Sequence, residues 1–273
     1  MGCGNSKTLS RRRLIKLINR KDAVDFICEE HENIMKIETP GTCDESTVAE
    51  NDEPSRYADT AHLCHTMTLP GESSEYKNAS YIDGYRHPKK YITCPAPLKN
   101  TRSEFWKMVW NHKSQIIVML CNTIENGQTQ CYRYWIPIEG VALRCGELEI
   151  KTVKISSTRR DYTITELMVT GDDGGNLKVT HFWYEQWQEH DLSPDELVFT
   201  DLLVMTKVYQ LGIDARSSSI VVHCNNGLER SMAFCAVDIC LTRLEKTGKL
   251  NNFVGIEEIN GKTRSHYLSS KVR

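Results

Sequence analysis

The stretch Ser219-Ile220-Val221-Val222-His223-Cys224-Asn225-Asn226-Gly227-Leu228-Glu229-Arg230-Ser231 constrains the fold more than any other. Its short apolar start predicts a buried strand. Ser231 to Thr247, apolar over a broad face and followed by Gly248, predicts a helix stopped by glycine. Only the seven residues from Cys224 to Arg230 join the two. Successive backbone N–H groups of such a loop, with the positive end of the following helix, make a cradle for an anion. The same field lowers the pKa of a thiol at its base, so Cys224 is expected to be a thiolate nucleophile at neutral pH. Arg230 offers a planar fork for a phosphoryl group, and Ser231 a hydroxyl to steady the sulfur. Asn225, Asn226, Gly227, Leu228 and Glu229 are the remaining candidate contacts to a bound phosphate.

The rest of the chain reads as alternating strands and helices. Gln115–Cys121 is an apolar run of strand length, suited to burial on both faces. Cys131–Ile136, Leu148–Ile155, Asp161–Thr170 and Leu177–Tyr184 are expected as further strands, with turns at Asn126-Gly127 and at Gly171 to Gly175. Ser193-Pro194-Asp195-Glu196 is expected to open a helix reaching about Leu211, with Ser193 as its cap and Pro194 at its first position. Residues 10 to 37 carry apolar positions at helical spacing, and 38 to 56 form an acidic loop. The 273 residues therefore imply an α/β fold with a mixed sheet, as one domain plus a short appendage.

The appendage is the amino terminus. Gly2 and Ser6 match the myristoylation pattern, Cys3 is a candidate for palmitoylation, and seven basic residues with no acidic one lie between Met1 and Lys21. One acyl chain holds a membrane marginally, whereas a second chain or a basic patch worth about 1 kcal/mol per cation makes the anchor stable. Residues 1–13 are thus expected to anchor the chain to the inner face of a membrane. A net charge of −2 excludes nucleic acid as the main partner, since phosphate-backbone binding needs a dominant basic surface. Eleven cysteines without a C-x-x-C pair, and no secretory or membrane-spanning run, imply reduced thiols in the cytoplasm. No metal-ligand spacing stands out, so neither metal nor cofactor is expected.

The Cys224 segment resembles the His-Cys-x-x-Gly-x-x-Arg-Ser/Thr signature of protein-tyrosine phosphatases. Arg56-Tyr57-Ala58-Asp59 resembles that family's phosphotyrosine loop, which implies that Tyr57 stacks on the substrate ring and Asp59 holds its backbone. Asn78 to Tyr85, Tyr91 to Leu98 and Phe105 to Trp110 resemble core segments of the family. Glu125 with Cys131 to Trp135 resembles the region whose Glu pairs with the signature arginine, and His181 to His190, with Trp187, the movable loop that brings the general acid. The resemblance, from about residue 56 to 248, implies a phosphatase domain over residues 14–273: a twisted mixed sheet flanked by helices, hydrolysing phosphotyrosine proteins through a cysteinyl phosphate.

Four departures from the pattern imply impaired turnover. Glu189 stands in Trp-Gln-Glu where the family has Trp-Pro-Asp, and a displacement of about 1 Å is worth about a hundredfold in rate. Glu229 replaces a usual glycine. If its carboxylate lies about 6 Å from the sulfur at an effective dielectric near 20 it raises the thiol by about two pKa units, and a side chain swung into solvent costs far less. Gln130 stands in place of a usual lysine. Counted from Arg230, the family's glutamine loop would begin near Lys271, so that loop and the last helix are expected to be lacking. The alternative is a pseudophosphatase that binds phosphotyrosine proteins at the membrane without turning them over. A lone domain with a worn site also resembles the phosphatases of bracoviruses, which would imply interference with signalling in host cytoplasm.

Overall fold

The computed structural model describes residues 8–26, 28–29, 79–157, 162–187, 194–213 and 218–251. In chain order the elements begin with β1 (Thr8–Ser10), α1 (Arg11–Ile18), β2 (Ser80–Gly84), β3 (His87–Pro95) and α2 (Arg102–Asn111). Strands β4 (Ile116–Met119), β5 (Ile124–Glu125), β6 (Gln128–Thr129), β7 (Ala142–Cys145), β8 (Leu148–Ser157), β9 (Tyr162–Gly171) and β10 (Asn176–Tyr184) follow. Helix α3 (Glu196–Leu211), β11 (Ile220–Cys224), α4 (Glu229–Thr247) and β12 (Lys249–Asn251) complete the order. The chain divides into two compact units, Thr66–Tyr81 with Lys89–Phe234, and Met1–His65 with Ile82–Pro88 and Cys235–Arg273.

The main sheet has the order β2-β3-β11-β4-β10-β9-β8-β7, and apart from Ile82–Pro88 its residues belong to the first of these units. β3, β11, β4 and β10 run parallel in succession, while β10, β9, β8 and β7 are antiparallel. The expected α/β fold with a mixed sheet is therefore present. Every residue of β4 and β11 is buried, which explains why both read as unbroken apolar runs. In contrast β9 alternates in burial over much of its length and carries polar side chains on its open face. Asn126 and Gly127, both at positive φ, close the β5–β6 hairpin as its two-residue turn.

In the second unit β1 pairs antiparallel with β12, and the Arg11 amide donates to the Gly248 carbonyl over 3.1 Å. Ser10 caps α1 by accepting from the Arg13 amide. Thr8–Arg13, assigned by sequence to the anchor, are therefore β1 and the first turn of a helix. The helical spacing expected from residue 10 onward produces a first helix that stops at Ile18, with the Asn19 side chain donating to the Ile15 carbonyl. Gly248 ends α4 at φ 64°, a left-handed conformation, as its position after Thr247 suggests.

Two local expectations need correction. Cys131–Ile136 is not a strand. Tyr134 and Trp135 are both buried, and the segment is held irregularly by the Tyr132 amide donating to the Pro97 carbonyl and the Trp106 indole N–H donating to the Tyr134 carbonyl. Helix α3 begins at Glu196 rather than at Pro194. Its cap is Asp195, whose carboxylate accepts from the Leu197 and Val198 amides and so satisfies two of the helix's free donors.

Candidate active site

Cys224 is the last residue of β11 and is fully buried. Register with β3 sets His223 opposite Cys94 and Cys224 opposite Pro95, so the loop that follows starts against the end of β3. The Asn225 carbonyl accepts from the Ala96 amide over 3.2 Å, and the Leu228 carbonyl accepts from the Met232 amide over 2.8 Å as α4 begins. Gly227 lies between them at φ 75°. A Cβ there would sit 2.6 Å from the Cys94 carbonyl oxygen and 2.5 Å from the Pro95 nitrogen, so the close approach of two backbones requires glycine. Residues 224 to 230 thus form a tight strand–loop–helix turn rather than an extended segment.

Arg230, in the first turn of α4, is buried and makes three hydrogen bonds that orient it. One guanidinium nitrogen donates to Glu125 Oε1 over 2.8 Å and to the Trp187 carbonyl over 2.7 Å, and the other donates to Glu125 Oε2 over 3.1 Å. This is a two-point pairing of guanidinium and carboxylate inside the protein. Burial opposes the charge on Arg230, but its bonds to Glu125 and the neighbouring sulfurs outweigh burial and raise its pKa. Glu125 is fixed in turn by the Asn122 amide, 2.8 Å from Oε1, and the Asn122 side chain donates to the Glu185 carbonyl over 2.7 Å. Trp187 is buried with its indole edge-on to Phe199, so it meets the site through its carbonyl on Arg230.

The expected thiolate is not what this environment favours. Burial raises the pKa of Cys224 above its ordinary value, and neighbouring Cys121 adds to the rise. Arg230 and Ser231 pull the other way without reversing it. The sulfur lies 3.3 Å from Asn226 Oδ1, to which the thiol donates, and the same oxygen accepts from the Leu228 amide over 2.9 Å. Asn226, taken by sequence as a phosphate contact, therefore spends its carbonyl on the loop's own donors and holds the sulfur as a thiol. Glu229 begins α4, where an acidic side chain complements the helix dipole. Burial is the main cause of the raised thiol.

Behind the loop lies a second buried polar cluster. The Tyr134 hydroxyl is 2.7 Å from Nε2 of His181 and 2.7 Å from Nε2 of His223. Burial drives both imidazoles toward the neutral form, His181 well below its ordinary pKa and His223 to about 3. Tyr57, Asp59, Glu189, Gly2 and Cys3 lie outside the described residues. Sequence reasoning missed Asn122, whose role is carried by a backbone amide and so leaves no trace in residue type. It also missed the internal bond of Asn226, although an Asn accepting from an amide two residues on is a common turn device that the loop's composition suggests.

Comparison with known proteins agrees with this geometry. A family profile described as protein-tyrosine phosphatase matches residues 51–270. Tyrosine phosphatase H2 of Microplitis demolitor bracovirus is 34% identical over 253 residues, covering 88% of this chain and 77% of the relative. Tyrosine phosphatase-like protein J1 of the same virus is 30% identical over 281 residues, covering 98% and 93%. The mouse tyrosine-protein phosphatase non-receptor type 9 is 32% identical over 242 residues, covering 83% of this chain and 41% of that protein. With a profile spanning most of the sequence and the two bracovirus relatives aligned over most of both lengths, the chain belongs to the protein-tyrosine phosphatase family.

Proposed function

We propose that the chain hydrolyses phosphotyrosine through a cysteinyl phosphate, with slow turnover. The observation that carries this reading is the buried Glu125–Arg230 pair, which holds a guanidinium next to a sulfur at the mouth of a glycine-turned backbone loop. Cys224 as thiolate attacks phosphorus, the bond to the tyrosine oxygen breaks, and Glu189 gives that oxygen a proton. Water then attacks phosphorus, its proton passes to Glu189, and inorganic phosphate leaves the regenerated sulfur. Arg230 and the loop amides from Asn225 to Glu229 carry the charge on the transferring group, and Ser231 supports the sulfur as leaving group. Tyr57 and Asp59 receive the tyrosine ring and the peptide backbone.

Slowness follows from the state of the sulfur. Burial holds the Cys224 thiol above its ordinary pKa, so attack waits on loss of its proton to solvent. The substitution of Glu189 at the acid position acts in the same direction. A second reading, a pseudophosphatase that captures phosphotyrosine proteins, is favoured by one feature: Asn226 occupies a loop amide and the nucleophile together. Acylation at Gly2 and Cys3 with the basic segment after them would place either activity at a membrane surface in the cytoplasm. The bracovirus relatives make host-cell signalling the setting that this reading favours.

The test is a rapid-mixing assay with p-nitrophenyl phosphate and a phosphotyrosine peptide, comparing the wild type with Cys224→Ser. The expected result is a stoichiometric burst of product, absent in Cys224→Ser, followed by a slow steady rate. A fast steady rate dependent on Cys224 would refute the impairment. Peptide binding with no burst would establish the pseudophosphatase instead.

A further inference from the structure

Cys121, Cys131 and His223 are buried, and each places one ligand atom within 4.8 Å of the other two. Cys121 follows β4, Cys131 follows the β5–β6 hairpin and His223 belongs to β11, so three separate parts of the chain bring these donors together. None of the three takes part in the steps above. Apolar side chains could fill the same volume, whereas two thiols and an imidazole are soft donors of the kind that hold Zn²⁺ or Cu⁺. The Tyr134 hydroxyl takes Nε2 of His223, whose Nδ1 is buried with no side-chain hydrogen-bond partner.

We propose that Cys121, Cys131 and His223 form a binding site for a thiophilic cation, with Zn²⁺ as the ion that suits it, placed next to the nucleophile Cys224. Charge balance supports the assignment. Zn²⁺ displaces one proton from each of two thiols, both released to solvent, and two thiolates with a neutral imidazole cancel the ion's charge, so no net charge is buried. Three protein ligands leave a fourth tetrahedral position. Cys224, which interacts electrostatically with Cys121, is the thiol at hand to fill it; binding there releases a third proton to solvent and adds one negative charge, which faces the Arg230 guanidinium, and the Cys224 thiolate so bound is withdrawn from attack on phosphorus. That last consequence rests on Cys224 being the nucleophile, but the site itself does not. Nothing in the spacing of residues 121, 131 and 223 along the chain announces such a site.

The experiment uses the full chain, purified without metal and under reduction, and titrated with Zn²⁺ against a chromophoric chelator and with Cd²⁺ followed by its thiolate charge-transfer absorption. The expected result is one ion per chain, proton release, affinity that rises with pH, and slower alkylation of Cys224 that a chelator restores. Cys121→Ser and Cys131→Ser should each weaken binding by about a hundredfold or more, since even residues that only support a ligand are worth tenfold to a hundredfold. Cys145→Ser, which removes a buried thiol of β7, should leave binding unchanged. Circular dichroism checks each fold, and Cys121→Ala stands in if a serine variant unfolds. The site is overturned by the absence of stoichiometric binding, by binding that survives in both Cys121→Ser and Cys131→Ser, or by binding that disappears in Cys224→Ser while Cys121→Ser keeps it. Since the titration needs no substrate, a chain that binds Zn²⁺ and never turns over defeats the phosphatase reading alone.

Discussion

Arg230 with Glu125, and Tyr134 with His181 and His223, are two buried polar clusters in one unit that meet the cost of desolvation in opposite ways. The first keeps both charges and surrounds them with donors and acceptors: the carboxylate receives three hydrogen bonds, and the guanidinium also reaches the Trp187 carbonyl. The second keeps no charge. One hydroxyl proton serves two imidazoles, so Tyr134 donates to one Nε2 and accepts from the other, and the two rings hold different tautomers. A charge is retained where it can act on a phosphoryl group. Under the strand end that carries Cys224, the polar groups are neutral and bonded to one another.

The largest expected effect comes from breaking the charged cluster. Glu125→Ala should lower unfolding stability by about 3–5 kcal/mol, because it leaves a buried guanidinium uncompensated, and it should weaken binding of phosphate analogues. Urea unfolding and vanadate titration measure both. A loss under about 1 kcal/mol would mean that Arg230 has another partner of equal weight and that the contrast between the clusters is overstated.

Acid should break the neutral cluster. The unfolded chain binds protons at His181 and His223 below pH about 6.5 that the folded core refuses, so stability falls as pH falls from there toward about 3. Two such groups give a slope of about 2.7 kcal/mol per pH unit, to which His112, lowered mainly by its burial, adds in the same sense. Urea titrations at pH 7, 6 and 5.5 give the slope. Stability that stays flat over that window would show that the imidazoles are solvated or already charged.

The smallest effect sharpens the contrast at Cys224 itself. Asn226→Ala removes the acceptor that holds the thiol proton and frees the Leu228 amide, so the thiol pKa should fall and the burst rate at neutral pH should rise about tenfold. Alkylation rate against pH reads the shift. An unchanged profile would assign the raised thiol to burial alone.

Much of this was legible in the residues, for reasons that differ by segment. β4 and β11 are buried on both faces and so appear as apolar runs. Gly248 and the Asn126-Gly127 turn show because positive φ selects few residue types. Cys131–Ile136 was misread as a strand because β-forming aromatics are equally at home in an irregular buried segment when an indole N–H, from Trp106, takes up their backbone. The start of α3 was misplaced because Ser193 and Asp195 are both good caps, and only the fold selects which carboxyl or hydroxyl meets the free amides.

By itself the sequence determined the α/β class, the turn from Cys224 to Arg230 and the chemical types gathered there, since each depends on local periodicity or on a short run of backbone. Tertiary structure alone decided the protonation of Cys224, the bond from Asn226 and the meeting of Cys121, Cys131 and His223. Desolvation and proximity are properties of what surrounds a group in space, and residues a hundred positions apart supply those surroundings.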